Sequence, residues 1–327
     1  MDRVLVTGGA GFVGSHVCKQ LRLAGFVPVS FDNLGTGWKD AVRYGPFVQG
    51  DIMQRRSLMA AFSNWKPVAA IHLAALTSVE ESVSKPQAYQ ECNVQGTGNV
   101  IEAMAARDCT ALVFSSTCAV YGNAPSGLVD ENSSTNPQSP YAATKLAAEE
   151  LLTGVARERG IRTTVFRYFN VAGSDPDLEI GECRARPANL IPAVLECAAG
   201  ARTQFEIFGT DYPTPDGTCI RDYVHAIDVA NAHVQGLRSM LNGSTGDLFN
   251  IGTGSGHSVR EVVECCRQVT GVDFPVRESG RRPGDVARIV CDGSKVRSGL
   301  GWSAEFSDLG TIVTDAWNWR KGRRYGS

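Results

Sequence analysis

The stretch V-L-V-T-G-G-A-G-F-V-G-S-H, Val4 to His16, opens on a short apolar, β-branched run, sets glycines at 8, 11 and 14, and continues into a helix-like segment. Glycines at this spacing allow a tight turn, close approach of the backbone to a pyrophosphate, and close packing of helix on strand. The helix start behind them offers unpaired N–H groups to the phosphates. A second strand-like run, V-P-V-S-F, ends at Asp32, whose carboxylate can accept hydrogen bonds from the adenosine ribose hydroxyls. No arginine stands beside Asp32 to hold a 2′-phosphate, so the pattern predicts NAD over NADP.

Outward from this unit the chain keeps alternating. Strand-like runs recur at A-A-I-H-L-A, A-L-V-F-S-S and T-T-V-F-R-Y, with helical patterns between most of them, up to about residue 167. That alternation predicts βαβ units in a Rossmann-like, doubly wound parallel sheet covered on both faces. After Asn170, Pro and Gly become frequent and the elements shorter, as in A-G-S-D-P-D and D-Y-P-T-P-D-G-T. The expected division is an NAD-binding domain over 1–169 and a smaller, mixed α/β substrate-binding domain over 170–327. A segment around 222–252 is expected to return to the first sheet, making the boundary discontinuous. The final K-G-R-R-Y-G-S reads as a loose tail.

Composition narrows the functional classes. The chain has 327 residues, 43% hydrophobic and 20% charged, enough for a sizeable core, and its formal net charge of -2 gives no reason to expect nucleic acid or an anionic membrane as partner. The N-terminus carries no signal-peptide pattern, and the longest apolar runs are too short to span a bilayer. None of the ten cysteines forms a C-x-x-C or a Cys/His cluster at zinc spacing. Reduced thiols in a cytoplasmic protein, and no metal, are the expectation. His16, His72, His225, His233 and His257 show no metal spacing, and structural roles are expected for all five.

S-P-Y-A-A-T-K, Ser139 to Lys145, carries a second chemical signal. Ser139 suits an N-cap and Pro140 the first helical position, so a helix starts here and runs through A-A-T-K-L-A-A-E-E-L-L. Tyr141 and Lys145 then share one helix face. An ammonium beside a phenol lowers the phenol pKa from about 10, which would suit Tyr141 to act as a general base.

Together these motifs resemble the extended short-chain dehydrogenase/reductase superfamily and, more narrowly, the UDP-glucose 4-epimerase family. The narrower resemblance rests on F-D-N-L, K-P-Q-A-Y-Q-E-C-N-V-Q-G-T, F-S-S-T-C-A-V-Y-G, R-Y-F-N-V-A-G, F-G-T-D-Y-P-T-P-D-G-T-C-I-R-D-Y-V-H and R-R-P-G-D, in the family's order from residue 4 to about 290. It implies NAD as a retained prosthetic group, a UDP-sugar substrate and a homodimer. It also implies site residues, position by position. Gly8, Gly11, Phe12 and Val13 would line the pyrophosphate, Asp32 and Asn33 the ribose, and Asp51 and Ile52 the adenine. Leu73, Ala74, Ala75, Asn93, Ser115 and Tyr168 would line the inner cofactor path. Lys145 would bridge the nicotinamide ribose and hold Tyr141 in a low-pKa state. Thr77, Ser116, Thr117, Asn170, Asn189 and Leu190 would meet the UDP-sugar, as would Phe208, Arg221, Arg282, Asp285 and Ile289. Guanidinium forks such as Arg221 and Arg282 suit a diphosphate.

The implied reaction interconverts UDP-glucose and UDP-galactose through a transient 4-keto sugar, with Tyr141 as base, Thr117 bridging by hydrogen bond, and hydride moving to NAD and back. Related dehydratases carry an acidic pair directly after the matching threonine; here Cys118 and Ala119 follow, which disfavours loss of water. Glu80 stands where a glycine is common. Ile289 is intermediate in bulk at a position that helps decide whether N-acetylated sugars fit. UDP-N-acetylhexosamine, UDP-pentose or UDP-uronate are therefore alternative substrates, and a non-catalytic NAD-binding sensor is the alternative of another class.

Overall fold

Strand β1 (Arg3–Thr7) shows how the core is built. Val4, Leu5 and Val6 are all fully buried, and successive strand side chains point to opposite faces, so the sheet must be covered twice. Val4 and Val6 join a core with Val17 and Leu21 of the helix Phe12–Leu23 and Leu237 of the helix Ala226–Leu241. Leu5 joins a second core on the other face, with Leu58 and Phe62 of the helix Arg55–Trp65 and Ile101 of the helix Gly96–Ala105.

The computed structural model describes residues 1–124, 127–184, 189–282, 284–322 and 324–326. After β1 come β2 (Val27–Asp32), β3 (Phe47–Gln49), β4 (Ala69–His72), β5 (Ala111–Thr117), β6 (Leu128–Val129) and β7 (Arg162–Tyr168). They are followed by β8 (Asn170–Ala172), β9 (Phe205–Phe208), β10 (Ile220–His225), β11 (Leu248–Ile251), β12 (Gly256–Ser258), β13 (Val276–Ser279) and β14 (Arg288–Cys291). The main sheet has the order β11-β7-β5-β4-β1-β2-β3, and every pairing in it is parallel. The winding direction reverses at β1, which opens a crevice beyond the carboxyl ends of β1 and β4. This is the Rossmann-like fold expected from the alternation.

A second sheet runs β12-β10-β14-β6 with β8 beside β10, and β9 pairs with β13. Their core includes Val194 of the helix Leu190–Ala198, Val262 of the helix Val259–Thr270 and Val313 of the helix Leu309–Gly322. Within residues 222–252, β10 belongs to this second sheet, whereas β11 pairs with β7 in the main one. Among the described residues no helix is long and apolar enough to cross a membrane.

Two local features differ from the sequence expectation. Residues Gln90–Gln95 widen into a π-helical turn between the helices Pro86–Tyr89 and Gly96–Ala105, and Asn93 sits on it. The tail is not loose at Tyr325, which is buried with its ring 5.1 Å edge-on from Trp319 and its hydroxyl accepting from Gly181 N at 3.2 Å. Arg323 and Ser327 lie outside the described residues.

Candidate active site

The glycine loop shapes one end of the crevice. Gly8 has φ +73°, and a Cβ there would stand 2.7 Å from Ala74 N, while one on Gly14 would stand 2.0 Å from Gly8 O. Only glycine permits this turn and this approach of helix to strand. The helix begins at Phe12 with no side chain capping it, so its first N–H groups face the crevice free to meet an anion. Asp32, at the end of β2, accepts from Ala10 N at 3.0 Å and Leu34 N at 2.8 Å, which fixes the carboxylate beside the loop. Burial raises its pKa and those two bonds oppose the rise. Asn33 donates to Asp51 at 2.9 Å across the same end. A cradle that any Cβ would fill, a free helix start and a fixed carboxylate fit a dinucleotide.

From this end a cavity of about 1050 Å³ extends over the sheet to Asp285 and Ile289. Of the expected cofactor positions, Gly8, Gly11, Phe12, Val13, Asp32 and Asn33 line it at the loop end. Asp51, Ile52, Leu73, Ala74, Ala75, Ser115 and Tyr168 line it further in. Of the expected substrate positions, Thr77, Ser116, Thr117, Asn170 and Asn189 line it, as do Leu190, Arg221, Asp285 and Ile289.

Four expected residues stand outside the lining. Asn93 does so because the π-turn aims its amide at the loop after β4, where it accepts from Leu76 N at 2.9 Å and donates to Leu76 O and Thr144 Oγ1, both at 3.0 Å. It supports the cavity wall from behind. Lys145 is 3% exposed under the floor. Phe208 and Arg282 stack on each other, 4.9 Å apart, and are joined to the cavity by the ion pair of Arg282 with Asp285 at 2.9 Å. Pro283, within R-R-P-G-D, lies outside the described residues.

Ser139 caps its helix as expected, accepting from Ala142 N at 3.2 Å. That helix start delivers Tyr141 to the cavity, where Thr117 at the end of β5 also lines the wall. The electrostatics differ from the simple Tyr–Lys reading. Burial pushes the Tyr141 phenol up to about 12, opposed by the neighbouring Thr117 hydroxyl, and burial pushes Lys145 down to about 8. Sharing a helix face does not bring the two together, because the Lys145 ammonium donates to Ser115 O at 2.7 Å and lies 4.7 Å over the Phe114 ring. Charge on Arg184 also opposes the rise, more weakly than Thr117 does.

The neighbouring polar groups are firmly held. Ser116 donates to Glu149, which is paired with Arg167 at 2.6 Å, and Tyr168 O–H stands 2.5 Å from His233 Nε2. Asn170 donates to Asp222 O at 3.0 Å. Asp222 is fully buried, accepting from Thr253 N, Gly254 N and Cys291 N. Arg221 donates to Val286 O at 2.7 Å and stands 3.7 Å from Asp285. Sequence reasoning missed Trp38, Glu182, Cys183, Arg184 and Tyr325, all of which line the cavity. No local pattern marks them, since they come from loops joined only by the fold.

Residues 4–252 match the model of the NAD dependent epimerase/dehydratase family. The UDP-glucose 4-epimerase of Rhizobium meliloti (strain 1021) is 40% identical over 325 residues, 99% of each chain. The crystal structure of UDP-glucose 4-epimerase from Brucella ovis in complex with NAD superposes with a TM-score of 0.94 at 41% identity, covering 97% of this chain and 98% of the other. The Stenotrophomonas maltophila UDP-glucose-4-epimerase, with bound NAD and formylated UDP-arabinopyranose, gives 0.95 at 38% identity and 98% coverage of both. The chain belongs to the NAD dependent epimerase/dehydratase family and, within it, to the UDP-glucose 4-epimerase group.

Proposed function

We propose that this NAD-dependent epimerase interconverts UDP-glucose and UDP-galactose, with Tyr141 as the proton-transferring group. The observation that carries the reading is the presence of Tyr141 and Thr117 together in a cavity bounded by the glycine loop and by Arg221, Asp285 and Ile289. NAD, when bound, supplies a hydride acceptor whose oxidised ring carries a positive charge. Tyr141 takes the proton of the sugar 4-hydroxyl and later returns it, while Thr117 holds the phenol and the hydroxyl in line. The buried phenol starts protonated at neutral pH, so positive charge in the cavity is required to bring it into the base role. Lys145 and Arg184 are the chain's own contributions to that charge.

Arg221 faces the diphosphate in this account, and the stacked Arg282 orients Asp285 beside it. Ser115 and Tyr168 form the inner cofactor wall, Lys145 backs it from beneath, and Asn93 shapes the loop before it. Cys118 and Ala119 have no acid/base capacity suited to eliminating water; burial holds the Cys118 thiol up at about 12. The discontinuous division into cofactor and substrate domains, the homodimer and the cytoplasmic setting belong to the same proposal, the last supported by buried reduced thiols such as Cys18, Cys109 and Cys266. A second reading, activity on UDP-pentoses, is favoured by the arabinopyranose nucleotide in the Stenotrophomonas relative. Tyr141→Phe tests the central role: turnover is expected to fall by about 10²–10⁴-fold with NAD and UDP-sugar still bound. Near-normal turnover would remove Tyr141 from that role.

A further inference from the structure

The segment Ser174–Arg184, which has neither helix nor strand, crosses from β8 back over the glycine-loop end of the cavity. Its last four residues, Gly181 to Arg184, form cavity wall. Three acidic side chains in it, Asp175, Asp177 and Glu179, lie close enough to resemble a cation site. The cation there is Lys19 of the helix Phe12–Leu23, whose buried ammonium meets all three at 2.7, 2.8 and 3.1 Å. Tyr44 adds a hydroxyl donated to Glu179 at 2.7 Å, and Trp38 Nε1 donates to Cys183 O at 3.1 Å. From the other side, Trp319 donates to Glu182 O at 2.9 Å, and the Tyr325 hydroxyl accepts from Gly181 N. Leu178 is held at φ +56°, a left-handed conformation uncommon for a non-glycine residue, with its side chain packed against the cluster of Trp319 and Tyr325.

The strap's far end is fastened differently. Arg184 Nη2 donates to Thr77 Oγ1 at 3.0 Å, joining the strap to the loop after β4. Both residues line the cavity, so this bond ties two segments of its wall together. The Arg184 side chain is 38% exposed, whereas Lys19 is 11% exposed. Solvent competes with the first contact and with the exposed Asp177, but little with the buried Lys19–Asp175 pair. The strap thus has a three-fold anchor on a buried ammonium at one end and a single, solvent-accessible fastening at the other.

We propose that this strap is the gate that retains NAD, anchored by Lys19 and latched by the Arg184–Thr77 bond, so that the dinucleotide exchanges only when the latch opens. Lys19 and Arg184 act as positioning residues in the gate, and because Arg184 also adds charge near the phenol, the test reads NAD exchange and not turnover. The inference rests on NAD as the bound dinucleotide and is independent of which sugar is epimerised.

The test loads the full chain with NAD and follows its replacement by fluorescent 1,N⁶-etheno-NAD, without sugar nucleotide. Arg184→Gln should exchange about tenfold faster than wild type, the rate equivalent of one charge-assisted hydrogen bond. Lys19→Gln should exchange faster still, with Lys19→Arg restoring slow exchange. Arg260→Gln, which breaks a remote surface pair with Glu278, should exchange like wild type. Should Lys19→Gln fail to fold, the exposed Arg184→Gln decides alone. Wild-type exchange rates in Arg184→Gln would overturn the gate; a wild-type chain that binds no NAD would overturn the cofactor assignment beneath it as well.

Discussion

Glu149 and Arg167 form an ion pair with side chains only 10% and 6% exposed, directly behind Ser116 in the cavity wall. Arg167 Nε reaches Oε1 at 3.0 Å and Nη2 reaches Oε2 at 2.6 Å, while Ser116 donates to the same carboxylate and the guanidinium lies 4.9 Å over the Tyr121 ring. Glu149→Leu deletes two charge-assisted bonds at about 1.5–3 kcal/mol each and strands a buried cation, for a loss of about 3–5 kcal/mol. Arg167→Met strands the carboxylate and should cost a similar amount. The double variant removes both charges and replaces them with apolar volume, so its loss should be about 2 kcal/mol or less. Urea unfolding of all four proteins at pH 7 gives the coupling energy, expected at about 3 kcal/mol or more in favour of the pair. Additive losses, or single losses under about 1 kcal/mol, would refute a pair that is buried and mutually dependent.

Two further outcomes follow from burial and bulk. His72 is held between Thr7 and Thr97 by contacts of 2.6 and 3.0 Å, and burial lowers its pKa to about 3 from 6.5. As pH falls below 6.5 the unfolded chain takes up a proton that the folded chain refuses, so stability is lost on the acid side. The stability deficit of His72→Asn relative to wild type should therefore shrink by about 2 kcal/mol between pH 7 and pH 5 in paired urea titrations; a constant deficit would contradict the buried neutral imidazole. Ile289 is 5% exposed in the cavity wall, so Ile289→Tyr adds bulk inward. Any activity on UDP-N-acetylglucosamine should drop at least tenfold more than activity on UDP-glucose, and equal losses would show that this position does not gate the pocket.

What the sequence discloses is what is decided locally. The glycine turn, the Asp32 carboxylate at a strand end and the Ser139–Pro140 helix start each depend on neighbours within a few residues, and each stands in the structure as its pattern implies. Contacts between distant segments leave no such mark. Lys145 shares a helix face with Tyr141, yet its ammonium goes to the carbonyl of Ser115, thirty residues away in sequence. Asn93 turns from cavity to scaffold because the helix widens by a π-turn that helical periodicity does not announce. Asp222, next to Arg221 in the chain, ends fully buried with three backbone N–H donors that no local pattern announces. Lys19 is an unremarkable helix lysine until residues 175–179 fold against it. Arg184 and Tyr325 reach the cavity only through that strap and the final helix.

The central claim is that this chain moves a proton and a hydride at a sugar carbon with no net redox change. Its most direct test is to incubate the purified protein with UDP-galactose, without added cofactor, and resolve the nucleotide sugars by chromatography while monitoring NADH absorbance. The account predicts UDP-glucose accumulating to equilibrium with no net NADH. Unchanged UDP-galactose, even with NAD supplied, would contradict it.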